Sequence, residues 1–395
     1  MREKMKVRYK IIVLVLILSL SINAIILYTL NEKNLLVNLS NKILYETEGF
    51  KNIEIPDIYN KNSLFSFESN VLEKDDFIPW KNSVLIKFQE YENIPHFNDV
   101  EVLYPELLVE KEFEEYKMKK FSAMARDNDE IIFYELFPNN ESKINYCKNI
   151  SCYPTVLIIP GSGNQGAKDV INEEGNLSQY YYHNGIGEEL VKLGYVVVVI
   201  ENRGWGERIR NVEMNCQEPD IFCSGNKLHK HLLNLGYDQL SLQIVDTMQL
   251  LKYVQNLEYV QNEKIAIAGL SLGGPVASAV SSLAPDVNTT IIASGIASQH
   301  KTGIGVNPGA LEFYDQPDIV ATLAPKPLYL SWGINESSEF GHEAYSLYSA
   351  NLIKKAYQFF DAEQNVEIVI HDEVLNQGHT FELNSLIKFL EKTMG

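Results

Sequence analysis

The stretch Lys264-Ile-Ala-Ile-Ala-Gly-Leu-Ser-Leu-Gly-Gly274 runs an apolar segment into a serine that has glycine two residues away on either side. Gly269-Leu-Ser-Leu-Gly273 is a G-x-S-x-G pattern. It places a serine on a strand-to-helix turn so tight that the residues flanking it at two positions must be almost free of side chain. The serine backbone is strained there, and its Oγ is left standing above the end of the strand. Ser271 is therefore the candidate nucleophile. Short patterns of this kind also arise by chance, so the reading depends on what surrounds this one.

What surrounds it is an alternation of strands and helices. Residues 155–159, 195–200, 264–268, 290–293, 328–332 and 366–370 are short, unbroken apolar runs bounded by Gly, Pro or Asn. Runs without polar alternation imply burial on both faces, which is the mark of a parallel sheet covered by helices. Between them lie helical patterns, clearest over residues 240–257. There Leu240, Ile244, Met248, Leu251 and Val254 recur at spacings of three and four. Further helical patterns fall at 186–193, 274–283, 344–360 and 383–393. Upstream, residues 117–124 and 130–137 are strand-like and separated by the turn-rich Arg126-Asp-Asn-Asp129, which predicts an antiparallel hairpin.

The chain has 395 residues, 45% of them apolar, and a formal charge of −18. One large catalytic domain with an N-terminal extension fits that length better than two unrelated domains. No basic cluster follows residue 33, so the excess negative charge disfavours nucleic acid as a partner. The amino terminus differs. Arg2, Lys4, Lys6, Arg8 and Lys10 precede residues 11–30, an uncharged stretch long enough to span a bilayer. The positive flank predicts that the tail stays in the cytoplasm and that the rest of the chain lies outside it. A cleaved signal ending near Ser21-Ile-Asn-Ala24 is the competing reading, but the apolar run continues to Leu30, beyond an ordinary signal core. Residues 31–115 read as a stalk and N-terminal extension without sustained periodicity, ahead of a catalytic domain at 116–395.

All four cysteines follow the expected anchor, in two close pairs, Cys147/Cys152 and Cys216/Cys223. Local disulfides suit an oxidising compartment, although four cysteines permit three pairings. Their spacings, with no adjacent His, do not resemble a zinc ribbon.

Five segments together resemble the α/β-hydrolase fold, and within it the acetyl-xylan-esterase and dienelactone-hydrolase-like serine esterases. They are Val156-Leu-Ile-Ile-Pro-Gly-Ser-Gly163, Gly194-Tyr-Val-Val-Val-Val-Ile-Glu-Asn-Arg-Gly-Trp-Gly206, the serine turn, Ala324-Pro-Lys-Pro-Leu-Tyr-Leu-Ser-Trp-Gly333 and Gly378-His-Thr-Phe381. The likeness covers roughly residues 117–395 and is specific for the fold and a serine mechanism, but not for a substrate. It implies a base and an orienting acid that follow the serine in the order Ser, acid, His. His379, after the last predicted strand, takes the place of the base, with His371 as fallback. For the acid the family usually has Asp a few residues beyond a Gly. This chain has Glu336 after Gly333, with Glu339 and Glu343 nearby, and Glu336 fits the spacing best. The likeness also implies an oxyanion hole from the backbone N–H groups of Leu272 and Ser162, although relatives often carry His where this chain has Pro160.

Gly161-Ser-Gly-Asn-Gln-Gly166 is formally a G-x-G-x-x-G motif after a strand, with Glu201 ending the next strand like a ribose-binding acid. A dinucleotide site needs a helix opening inside that motif. The polar Asn172-Glu-Glu-Gly-Asn176 that follows is poor in helix formers, and Glu201 lies 35 residues past Gly166 rather than about 20. The segment 203–237 interrupts the strand–helix alternation and reads either as a lid or pocket wall, or as a disulfide-pinned surface loop. Tyr180-Tyr-Tyr182 near His183 read as packing. The expectation is a membrane-anchored, extracytoplasmic serine carboxylesterase of a small-molecule or carbohydrate ester, with no metal or organic cofactor implied. A prolyl-oligopeptidase-like peptidase needs a propeller that the extension is too short to build. A non-catalytic relative of the fold would typically have lost Ser or His.

Overall fold

The computed structural model describes residues 63–139, 145–147, 150–163, 165–172, 183–210, 215–216, 223–296, 298, 309–336, 343–372 and 378–395. The expected anchor, the first part of the extension and Tyr180–Tyr182 lie outside these residues. Among the described residues no helix is long and apolar enough to cross a membrane.

The strands are β1 (Glu106–Glu112), β2 (Tyr116–Met124), β3 (Glu130–Pro138), β4 (Asn145–Cys147), β5 (Ile150–Ile159), β6 (Val196–Ile200), β7 (Val260–Leu270), β8 (Thr289–Ala293), β9 (Leu328–Gly333) and β10 (Val366–His371). The helices are α1 (Phe67–Asn70), α2 (Lys74–Glu92), α3 (Ala167–Ile171), α4 (Ile186–Lys192), α5 (Cys223–Asn234), α6 (Gln239–Gln255), α7 (Gly273–Leu283), α8 (Gln316–Ala321), α9 (Glu343–Gln358) and α10 (Leu383–Met394). The sheet runs β1-β2-β3-β6-β5-β7-β8-β9-β10, with β4 on β5. The β2–β3 hairpin and the β3–β6 pairing are antiparallel. From β6 across to β10 the neighbours are parallel.

The apolar runs are unbroken because both faces of the sheet are covered. In β5, Val156 and Ile158 belong to one buried cluster, while Leu157 and Ile159 belong to the other. In β6, Val197 and Val199 face the first of these and Val196, Val198 and Ile200 the second. Residues of α3, α4 and α10 join one cluster, and residues of α2, α6, α7, α8 and α9 the other. Each fully buried Val or Ile contributes about 1.5–3 kcal/mol against exposure, so a one-residue slip in register would forfeit several at once.

The extension is more integrated than its lack of periodicity suggests. Phe77, Trp80, Val84 and Phe88 of α2 are buried in the core. Phe77 meets Phe360 at 4.9 Å between ring centroids, and the Trp80 indole donates to the Phe65 carbonyl at 2.7 Å.

Parallel pairing also sets where chemistry can occur. Ile159 lies opposite Gly269, Leu270 opposite Ala293, and His371 opposite Gly333. The carboxyl ends of β5, β7, β8, β9 and β10 therefore finish on one edge, where ligands bind in open α/β sheets.

Candidate active site

Ser271 follows β7 directly and holds φ at +52°, a left-handed conformation that costs a non-glycine residue energy. The structure shows why its neighbours are glycines. A side chain on Gly269 would lie 2.1 Å from the Gly273 carbonyl oxygen, and one on Gly273 would lie 2.2 Å from that of Ile159. The bend is tied down by the Ser271 N–H donating to Ala293 O at 3.0 Å and the Gly274 N–H donating to Ser271 O at 2.9 Å. Ser271 is 7% exposed.

Glu336 sits in the turn after β9. Its side chain is fully enclosed (0% exposed), and its Oε2 lies 3.3 Å from Nδ1 of His379. Its Oε1 accepts the Gly333 N–H at 2.8 Å and the Ser294 hydroxyl. Glutamate has the reach to fold back onto Gly333 from three residues downstream, which accounts for its standing in the usual place of aspartate. His379 arrives because Gly378, at φ +92°, lets the backbone pass close over the strand end. A side chain on Gly333 would come within 2.4 Å of the Gly378 Cα. His371, the fallback base, is buried at the end of β10, and it is His379 that the Glu336 carboxylate meets. Glu339 lies outside the described residues, and Glu343 begins α9.

Ser294 is a site residue with no sequence signal. It follows β8 with φ at +49°, beside the Ala293 carbonyl that holds Ser271, and its hydroxyl completes the carboxylate shell of Glu336.

The loop after β5 has a second unforeseen support. His183 is fully buried, and its Nε2 accepts the Gly161 N–H at 2.9 Å, while its Nδ1 lies 2.9 Å from Asp169 Oδ2. Accepting at Nε2 requires the proton on Nδ1, which the Asp169 carboxylate takes as a hydrogen bond. The dyad anchors the loop at Gly161, and Ser162, the next residue, is half-buried. His183→Phe removes that acceptor from the buried Gly161 N–H and takes one hydrogen bond from the Asp169 carboxylate. Unmet buried polar groups cost about 1–3 kcal/mol each. The expected result is a lower melting temperature together with a fall in kcat, and an unchanged kcat would show that the loop is held by other means.

Glu201 is not offered to a ligand. Its carboxyl is wedged between Gly166 and Gly206, where a side chain on either would lie within about 2 Å of it, and α3 is only five residues long. The dinucleotide arrangement is therefore absent: the space at the motif glycine is filled by the very acid that would have bound ribose. Burial pushes the Glu201 pKa up to about 8. The folded protein then keeps a proton that the unfolded chain releases near pH 4.5, so stability declines as pH rises through that window. Asp238 and Asp318, raised by burial to about 7, act in the same direction at lower pH. Glu201→Gln should make the fall in melting temperature between pH 7 and 8 shallower. A slope identical to that of the parent protein would contradict the assignment.

The segment after β6 does wall a cavity. About 220 Å³ in volume, it is bordered by Leu272 and Val276 from the serine turn and α7, by Asn202 and Trp205 after β6, by His229 of α5 and by Gln243 of α6. Cys216 and Cys223 are disulfide-bonded with a Cα separation of 5.8 Å, pinning the start of α5, and Cys152 is also in a disulfide. A largely buried ion network also holds the segment. Arg203 pairs with Asp246 (2.6 Å) and Asp127 (2.6 Å), and Arg208 with Asp246 (2.8 Å) and Asp129 (2.8 Å). Such a network is costly to break because either partner alone is an uncompensated buried charge.

The family model "Abhydrolase family" matches residues 58–306, more than half of the chain. The chain therefore belongs to the Abhydrolase family and has the α/β-hydrolase fold. No curated protein matches it. Among solved structures it is similar to one assigned as an acetyl xylan esterase from Bacteroides fragilis (18% identity, TM-score 0.62, covering 81% of each chain). It is also similar to a glucuronoyl esterase from Teredinibacter turnerae (16% identity, TM-score 0.56, covering 82% of this chain and 86% of that one). A third is an acetyl xylan esterase from Paenibacillus sp. (14% identity, TM-score 0.51, covering 82% and 96%).

Proposed function

We propose that the protein is a serine carboxylesterase acting on an ester of a carbohydrate or similar small molecule through Ser271, His379 and Glu336. The observation that carries this reading is the enclosed Glu336 carboxylate on Nδ1 of His379, at the same sheet edge as the strained Ser271. With Nδ1 directed at the carboxylate, Nε2 acts as the base. Ser271 Oγ attacks the ester carbonyl carbon as its proton passes to His379. The tetrahedral intermediate collapses, the C–O bond to the alcohol breaks, and the alcohol leaves with that proton. Water then attacks the acyl-enzyme, giving its proton to His379. The second intermediate releases the acid, and Ser271 recovers its proton. Charge on the carbonyl oxygen is met by the N–H groups of Leu272 and Ser162, each worth about 2.7–4 kcal/mol when correctly placed. Every step is carried by side chains and backbone of this chain.

The esterases among the solved structures support the choice of carbohydrate esters. The basic flank and the uncharged residues 11–30 support a single-pass anchor with the catalytic domain outside the cytoplasm, and the disulfides are consistent with that compartment. A fluorophosphonate probe followed by peptide mapping tests the reading. Labelling confined to the Ser271 peptide is expected, and a chain that resists the probe while folded would overturn it.

A further inference from the structure

The peptide that joins Pro160 to Gly161 is held at both of its polar ends. Its carbonyl oxygen accepts from Asn202 Nδ2 at 2.5 Å, and its N–H donates to His183 Nε2 at 2.9 Å. In a trans peptide those two groups point in opposite directions, so a pair of buried side chains fixes the rotation of one plane. The restraint matters because the next Cα is a glycine. Without a Cβ, Gly161 tolerates orientations of that plane that other residues exclude, and the choice among them falls to partners elsewhere in the fold.

Asn202 is itself firmly placed. It is 1% exposed, and its backbone is fixed on both sides: the Glu201 N–H donates to the Ile132 carbonyl at 2.9 Å, and the Arg203 N–H to Gln243 Oε1 at 2.8 Å. The orientation of its amide follows from its partner, because the reverse would set oxygen against the Pro160 carbonyl oxygen. That carbonyl oxygen lies against the serine turn: a side chain on Gly273 would come within 2.8 Å of it. Further along the loop the Gly163 carbonyl accepts the Gly206 N–H at 3.0 Å. The peptide that carries the Ser162 N–H is therefore bracketed, by the plane that Asn202 and His183 hold on one side and by the Gly163 carbonyl on the other.

We propose that Asn202 is a positioning residue for ester hydrolysis: by gripping the Pro160 carbonyl while His183 holds the Gly161 N–H, it fixes the direction in which the Ser162 N–H meets the oxyanion. The proposal rests on the esterase reading and deepens it. Asn202 acts through the loop and not on the substrate. An oxyanion donor counts where charge develops, so loss of the grip should fall on the transition state and spare substrate binding.

Asn202→Ala removes the donor and leaves the other bonds of the loop in place. With a short-chain aryl ester, kcat should fall about 10- to 100-fold, the scale of a group displaced by up to about 1 Å, while KM stays nearly unchanged. Counting kcat per Ser271 labelled by the fluorophosphonate removes the effect of partly folded protein. Two ketones separate positioning from general distortion. A trifluoromethyl ketone bonds Ser271 Oγ at its carbonyl carbon, the Oγ proton passing to His379 and the carbonyl electron pair to oxygen, so it needs the oxyanion donors. The methyl ketone of the same chain remains a carbonyl. Inhibition by the first should weaken by the same factor as kcat, and inhibition by the second should hold. Should Asn202→Ala not fold, Asn202→Ser, whose hydroxyl ends one bond short of the amide nitrogen, carries the same comparison. A kcat per labelled serine equal to that of the parent, or an equal loss against both ketones, overturns the proposal while leaving the esterase reading intact. Failure of the parent's Ser271 to take the label removes both.

Discussion

Ser271→Ala should lower kcat for hydrolysis of a short-chain aryl ester by about 10⁵-fold or more, to the residual rate supplied by the oxyanion donors and binding alone. The size of the effect follows from the covalent route: without Oγ no acyl-enzyme forms, and water must attack directly. The fold should be almost indifferent. The hydroxyl is a small group, and the bend is held by backbone bonds to Ala293 and from Gly274 that alanine retains. A melting temperature close to that of the parent, together with lost turnover, is the expected pair of results. Persistent turnover in the variant would mean that another residue attacks.

Glu336→Gln should cost about 10⁴-fold in kcat near neutral pH. The amide conserves volume and can still accept the Gly333 N–H, so structure is preserved while the electrostatics change. An uncharged side chain no longer stabilises the imidazolium that forms as Ser271 gives up its proton, and its NH₂ group favours the wrong tautomer of His379. The loss should fall on kcat rather than KM, because the charge develops only after substrate is bound. The same substitution at Glu339 should change the rate little, and the opposite ranking would transfer the role of acid to Glu339.

Those two experiments bear on residues that the chain announces from its sequence. Others are invisible there. Ser294 reaches Glu336 across 42 positions, His183 reaches Gly161 across 22, and Asn202 reaches Pro160 across 42. No local pattern marks them because their partners are set by strand order, not by neighbours in the chain. The extension shows a different failure. Phe77, Trp80, Val84 and Phe88 recur at spacings of three, four and four, yet charged residues and Pro79 dilute the stripe, and the sequence does not say that Phe360 waits to receive it. β1 was not foreseen for the opposite reason. Every residue in it is exposed, so no alternation of polar and apolar positions is imposed.

The amino-acid sequence by itself determined the parallel core and the serine at the bend. Burial on both faces demands continuous apolar runs, and a turn this sharp demands glycines at fixed offsets, so both constraints are written locally. Tertiary structure alone decided which carboxylate meets His379, what holds the loop after β5, that Glu201 is sealed away from any ligand, and that Asn202 and Gln243 share one cavity. Each of those is a contact between segments far apart in the chain, and its energy depends on packing geometry that no window of neighbouring residues contains.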